Sequence, residues 1–203
     1  MREIEIKYRL GDPAALRSSL LSCGARQRGC VLEMNRILDF TDGRLRAEGT
    51  GLRLRSSTPL AQIDAVPLAA NLSGAASAAA SHILTYKGPM AERDGIRDRT
   101  EIETRIEDAD QFLKLLKALG LVERLRFEKV RESWWIDGGE VVIDRLPSLG
   151  WFCEIEAADE ASIRQIAQRI GLGEAAPEPR TYPAMVSAAG QAGPDGVVEL
   201  RFG

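Results

Sequence analysis

Glu3-Ile4-Glu5-Ile6-Lys7 is the stretch on which the reading of this chain turns. Successive side chains of a β-strand point to opposite faces, so Glu3, Glu5 and Lys7 share one side while Ile4, Ile6 and Tyr8 share the other. A half-buried strand with a wet outer face gives the same alternation, so one strand decides nothing. The alternation recurs, however, in strand-like stretches at 31–40, 51–56, 83–88, 99–106, 126–135, 140–145 and 151–157. Glu33, Asn35 and Asp39 fall together, Arg53 and Arg55 oppose Leu52 and Leu54, and Thr85 and Lys87 oppose Leu84 and Tyr86. Arg99, Glu101, Glu103 and Arg105 oppose Ile102 and Ile106, and Lys129, Arg131 and Ser133 oppose Val130 and Trp134. Asp144 falls with Val142, and Glu154 and Glu156 oppose Cys153 and Ile155.

A solvated face need not sort its charges by type from strand to strand, yet here Arg-x-Arg and Lys-x-Arg occupy some strands and Glu-x-Glu others. Three helices, opening at Asp12-Pro13, Asp108 and Asp159 and stopping at Gly24, Gly120 and Gly171, are available to cover the apolar parity. The expected class is therefore α+β. An eight-stranded antiparallel barrel closes on itself, with helices packed outside and the charged parity lining a wide, wet tunnel. Carboxylates two residues apart on a strand lie about 7 Å from each other, which suits hard cations held between neighbouring strands. Arg and Lys pairs suit phosphate oxygens. Acids for a divalent metal and bases for several phosphates together describe a polyphosphate site.

Composition narrows the alternatives. The 203 residues carry 27 Lys+Arg, 30 Asp+Glu and a single histidine, His82, for a net charge of -3. That balance argues against a nucleic-acid partner, which needs a basic field. No apolar run is long enough to span a membrane. The charged start, Met1-Arg2-Glu3, gives no sign of a secretory signal. Three cysteines without CxxC spacing fit neither a disulfide framework nor a cysteine zinc site, so a cytoplasmic location is expected. One histidine leaves any catalysis to carboxylates, lysines and arginines. The Ala/Ser-rich stretch 56–81 reads as an insertion between two strands, a lid or a tolerated loop. Residues 1–186 read as a single domain, and the Gly/Ala-rich tail 187–203 is expected to fray.

The motifs taken in order resemble those of the CYTH family, the triphosphate tunnel metalloenzymes. ExExK at Glu3–Lys7 opens the series, followed by Leu52-Arg53-Leu54-Arg55, Thr85-Tyr86-Lys87-Gly88-Pro89 and Arg99-Thr100-Glu101-Ile102-Glu103. Glu128-Lys129-Val130-Arg131, Ile143-Asp144-Arg145, Gly150-Trp151-Phe152-Cys153-Glu154-Ile155-Glu156 and Arg180-Thr181-Tyr182 complete it. The resemblance implies an enzyme that binds a triphosphate with Mg²⁺ or Mn²⁺. Carried over by position, Glu3, Glu5, Asp144, Glu154 and Glu156 are metal ligands, and Lys7, Arg53, Arg55, Lys87, Lys129 and Arg131 grip phosphates. Glu101 and Glu103 support the metal or hold the bases in place. Lys7, with Glu3 and Glu5, is the catalytic candidate, either aiding the nucleophile or pairing with Glu3 or Glu5.

Hydrolysis of tripolyphosphate, thiamine triphosphate or a nucleoside triphosphate is the first functional expectation. A class IV adenylyl cyclase, making cyclic AMP and pyrophosphate from ATP, is the second, because it needs nearly the same phosphate contacts. A non-catalytic binder of polyphosphate or nucleotide is the third, and retention of the full acidic set argues against it. Trp134, Trp135 and Trp151 offer base stacking, although barrel packing explains them better. Oligomeric state, monomer or homodimer, is open.

Overall fold

The structure, a computed structural model, describes residues 1–61 and 80–202. Its strands are β1 (Arg2–Leu10), β2 (Arg26–Phe40), β3 (Gly51–Pro59), β4 (Ser81–Lys87), β5 (Ala91–Arg93), β6 (Ile96–Ile106), β7 (Leu121–Ile136), β8 (Gly139–Leu146), β9 (Gly150–Glu156), β10 (Gln191–Ala192) and β11 (Val198–Leu200). Eight of them close a ring in the order β1-β6-β4-β3-β2-β7-β8-β9 and back to β1, every pair antiparallel. Each of the eight strands expected from the alternation is present, and several run longer than the sequence pattern suggested. Two Asp-Gly pairs set hairpins: Asp94-Gly95 between β5 and β6, and Asp137-Gly138 between β7 and β8. All four residues have positive φ, as the tightest hairpin turns require.

The helices are α1 (Pro13–Ser22), α2 (Arg44–Ala47), α3 (Ala109–Ala118), α4 (Glu160–Arg169) and α5 (Tyr182–Ala189). Asp12, Asp108 and Asp159 each accept a backbone N–H in the first turn of α1, α3 and α4, the capping their sequence foretold. Leu16 and Leu20 of α1 and Ile163, Ile166 and Ala167 of α4 share one core with Ile4, Ile6, Val130, Trp134, Val141, Ile143, Cys153 and Ile155. Leu113 and Leu116 of α3 cover Leu38 and Leu54. The outer parity of the strands thus becomes the hydrophobic core, and the charged parity is left to face inward.

Two features differ from the sequence expectation. Helix α5 lies across one end of the barrel, where Tyr182, Met185 and Val186 pack on Phe127, Leu146 and Phe152, residues of inward parity. The tunnel is therefore a cup, apolar and closed at its floor. Among the described residues, the segment beyond Ser187 is paired and partly buried. β11 pairs in parallel with β7, Leu200 and Phe202 are buried, and the Phe202 N–H donates to Glu128 Oε2 at 2.9 Å. Leu200 and Phe202, two residues apart, give this segment an apolar edge that the surrounding Gly and Ala hid. In the stretch read as an insertion, 56–59 belongs to β3 and Ser81 to β4, while 62–79, with any lid, lies outside the described residues.

Candidate functional site

Strand register brings the inward charges together. β1 and β9 set Lys7 opposite Glu154 and Glu5 opposite Glu156. Lys7 Nζ reaches Glu154 Oε1 at 3.0 Å, so its partner is neither Glu3 nor Glu5. Arg131 spans two strands, with Nη2 2.6 Å from Asp144 Oδ2 and 2.5 Å from Glu154 Oε2. Lys129 Nζ lies 3.2 Å from Asp144 and 3.5 Å from Glu33, and Arg55 lies 3.6 Å from Glu33. Lys87 pairs with Glu101 and, at 3.3 Å, with Glu3. The Thr85 hydroxyl donates to Glu103 at 2.7 Å and receives Arg53 at 3.4 Å. Glu101 thus pairs with Lys87, and Glu103 with Thr85 and, at 3.8 Å, with Arg53.

The acids separate into two classes. Burial opposes ionisation of Glu154 and Glu33, but Lys7, Arg131 and Lys129 around the first, and Lys129, Arg131 and Arg55 around the second, hold both well below the usual carboxylate range. At the other end of the same face the balance reverses. Burial and the Glu101 carboxyl push Glu3 up to about 7, and burial with the charges of Glu3, Glu140 and Glu5 pushes Glu156 up to about 7. Burial, then Glu154 and Glu3, also raise Glu5 despite Arg97 at 3.0 Å. Glu140 stands directly opposite Glu156 on β8, extending the acidic row.

As placed, no three acids among the described residues close around a metal ion. The donor set nonetheless fits a hard divalent cation: Glu3, Glu5 and Glu156 offer carboxylate oxygens on one face, and their mutual repulsion is what bound positive charge relieves. Asp144 is placed differently from the other expected ligands. It is fully buried between Lys129, Arg131 and the Tyr182 hydroxyl, which donates to it at 2.8 Å. Glu154 is likewise committed to Lys7 and Arg131.

The bases are less completely satisfied than the acids. Nε of Arg53 and of Arg55, both buried, have no hydrogen-bond partner among the described residues. Burial and the neighbouring Arg55 lower the Arg53 pKa, a sign of crowded positive charge. Such a surplus of donors suits phosphate oxygens. Side-chain exposure of 16% for Arg53, 17% for Arg131 and 20% for Lys87, against 1% for Lys7, places the entrance at the end away from α5.

Three inward residues were missed in the sequence. Arg97 continues the parity of Arg99 and Glu101, and the Asp94-Gly95 turn was the available signal that β6 begins early enough to include it. It is 2% exposed and binds Glu5 and the carbonyls of Glu178 and Arg180. Tyr182 belonged to a quoted motif without a role; its ring lies 3.5 Å beneath Lys7 Nζ. Glu140 was the third. Trp134 is in the outer core and Trp151 packs against that core under Arg17 and Arg145, whereas Trp135, 42% exposed with Arg28 over its ring, shares the parity of Arg131 and Ser133 and stands opposite Glu140 at the rim.

Comparison with known proteins agrees with this geometry. The CYTH domain family model matches residues 1–182. Adenylate cyclase CyaB of Aeromonas hydrophila is 28% identical over 193 residues, an alignment covering 89% of this chain and 86% of that protein. Among solved structures, a candidate adenylate cyclase of Vibrio parahaemolyticus superposes with a TM-score of 0.72 at 22% identity, covering 91% of this chain and 97% of the other. The Hippeastrum candidate adenylyl cyclase HpAC1, described as having a dominant triphosphatase activity, superposes at 0.65 with 17% identity, covering 95% and 98%. At these identities the structural likenesses speak for the fold.

Proposed function

The chain belongs to the CYTH domain family, and from that premise we propose that it hydrolyses a triphosphate inside its barrel with the help of Mg²⁺ or Mn²⁺. One observation carries the reading: a closed ring of strands turns six bases, Lys7, Arg53, Arg55, Lys87, Lys129 and Arg131, and the acids Glu3, Glu5 and Glu156 onto a single inner face. Arg53 and Arg55 offer free donors to phosphate oxygens. Lys87, Lys129, Arg131 and Lys7 would exchange part of their internal carboxylate pairing for the substrate's negative charge. Thr85 and Glu103 orient Arg53 for that contact. Glu3, Glu5 and Glu156 would hold the metal, which when bound neutralises charge on phosphate oxygens and makes water a better nucleophile. Asp144 and Glu154 fit better as the acids that position Lys7, Lys129 and Arg131 than as principal metal ligands. The α5 floor keeps Lys7 and Asp144 out of bulk water.

Cyclisation of ATP is the second reading, favoured by the Aeromonas relative that aligns over most of both chains. The phosphate grip serves either reaction, and hydrolysis, which needs fewer special contacts, is preferred. Free thiols at Cys23, Cys30 and Cys153 support a reducing, cytoplasmic setting, and no helix of the described residues is long and apolar enough to cross a membrane. The test is phosphate release and product chromatography with tripolyphosphate, thiamine triphosphate and ATP, each with Mg²⁺ and with Mn²⁺. Metal-dependent release of phosphate supports hydrolysis, cyclic AMP with pyrophosphate supports the second reading, and neither product from any substrate rejects both.

A further inference from the structure

Asn35 sits on the inner face of β2, opposite Arg55 on β3 and Phe127 on β7, and is fully buried at 0% exposure. Its Nδ2 donates to Glu33 Oε2 at 3.3 Å. That contact fixes how the amide is turned, because Glu33 is surrounded by Lys129 and Arg55, stays ionised and accepts only; a reversed amide would set oxygen against oxygen. Asn35 Oδ1 is left as a buried acceptor with no donor among the described residues, close in register to the unpaired Nε groups of Arg53 and Arg55. A buried acceptor without a donor is costly, and it is the kind of group that substrates are recognised by.

A phosphate cannot answer it. Phosphate oxygens gripped by this many cations are deprotonated and accept hydrogen bonds, as Asn35 Oδ1 does. The matching group is an O–H held close to the phosphates, with the Arg Nε groups donating to the adjoining oxygens. We infer that Asn35 Oδ1 accepts a hydrogen bond from a sugar hydroxyl of the substrate, so that the cup selects a ribonucleoside triphosphate over inorganic tripolyphosphate. This rests on the triphosphate reading above and sharpens its substrate class.

Dissociation constants for ATP, 2′-deoxy-ATP, 3′-deoxy-ATP, 2′,3′-dideoxy-ATP and tripolyphosphate, taken with Mg²⁺ from the ligand dependence of the melting temperature, test it. The wild-type protein should bind ATP about tenfold to a hundredfold more tightly than the dideoxy analogue, and the single deoxy analogues identify which hydroxyl is read. Asn35→Leu, of the same branched shape but without the acceptor, should bring the ratio of the two constants close to one. Equal binding of ATP and dideoxy-ATP by the wild-type protein overturns the inference without any variant, and so does an Asn35→Leu protein that keeps the ratio while weakening both. A protein that binds no triphosphate at all rejects the parent reading instead, and the two failures are told apart by the tripolyphosphate arm.

Discussion

Glu5 and Glu156 face each other directly across the β1–β9 ladder, two carboxylates in one register pair. Like charges set opposite one another destabilise a sheet, and among the described residues Glu156 has no ion pair to offset this. Glu156→Gln keeps the size and removes the charge. The variant should melt as high as the metal-free wild type or a few degrees higher, at ~2–4 °C per kcal/mol for a chain of this size. It should also lose activity and most of the metal-induced rise in melting temperature. A variant that melts lower, yet is still fully protected by metal, would identify Glu156 as a structural acid.

The two classes of acid make stability depend on pH in opposite senses. Glu3 and Glu156, raised from 4.5 to about 7, bind protons more tightly folded than unfolded, so their contribution is complete below pH 4.5 and is lost as pH rises to about 7. Glu154 and Glu33, held low, contribute fully above 4.5 and lose that contribution as pH falls toward their folded values. The metal-free protein should therefore be most stable near pH 5. Mg²⁺ or Mn²⁺, which competes with those protons, should protect most at pH 7 and above. Melting curves from pH 4 to 8, with chelator and with metal, check this; a metal-free optimum at pH 7 or higher would contradict the placement of the charges.

Arg53 and Arg131 look alike in the sequence and differ in the structure. Arg131 is the link between Asp144 and Glu154, and its removal leaves two buried carboxylates short of a partner. Arg131→Ala should cost ~3–5 kcal/mol of stability, beyond any effect on substrate. Arg53 makes only long contacts with Thr85 and Glu103, so Arg53→Ala should leave the melting temperature within a few degrees and raise KM about tenfold to a hundredfold. Denaturant titration and steady-state kinetics on both variants separate the roles, and equal stability loss in the two would remove the distinction.

The alternation of Glu3, Glu5 and Lys7 against Ile4 and Ile6 made the barrel legible, because a strand's two faces are written two residues apart. The same arithmetic found Arg53, Arg55, Lys87, Lys129, Arg131, Glu154 and Glu156 on the inner wall. What it could not supply is partnership across strands. That Lys7 meets Glu154, and that Asp144 is consumed by Lys129, Arg131 and Tyr182, depends on register and on a helix nearly forty residues downstream. The floor was hidden for a related reason: Phe127, Leu146 and Phe152 are apolar at inward positions, and only the docking of α5 explains them. Arg97 escaped because the start of β6 is set by the Asp94-Gly95 turn rather than by hydrophobic pattern. Gly95 is also pressed against Pro177, where an added Cβ would come within 2.6 Å, another contact no local pattern announces.

Tyr182 closes the floor with two separable groups. Its hydroxyl donates to Asp144 at 2.8 Å, and its ring lies under Lys7 Nζ at 3.5 Å and Lys129 Nζ at 4.9 Å while meeting Phe152 edge-on at 5.5 Å. Tyr182→Phe removes only the hydroxyl. Asp144 keeps Lys129 and Arg131, so the cost should be ~1.5–3 kcal/mol, that of a hydrogen bond to a charged group, with the ring still beneath Lys7. Tyr182→Ala removes the ring as well, opens a cavity among Phe127, Phe152 and Met185, and strips the aromatic face from two buried ammonium groups. Its cost should reach ~3–5 kcal/mol, and activity should fall further than in the Phe variant because Lys7 loses the surface that positions it. Denaturant unfolding and kcat/KM on the pair test this order. If the Ala variant is no less stable than the Phe variant, the ring does not close the barrel, and the hydroxyl alone accounts for Tyr182.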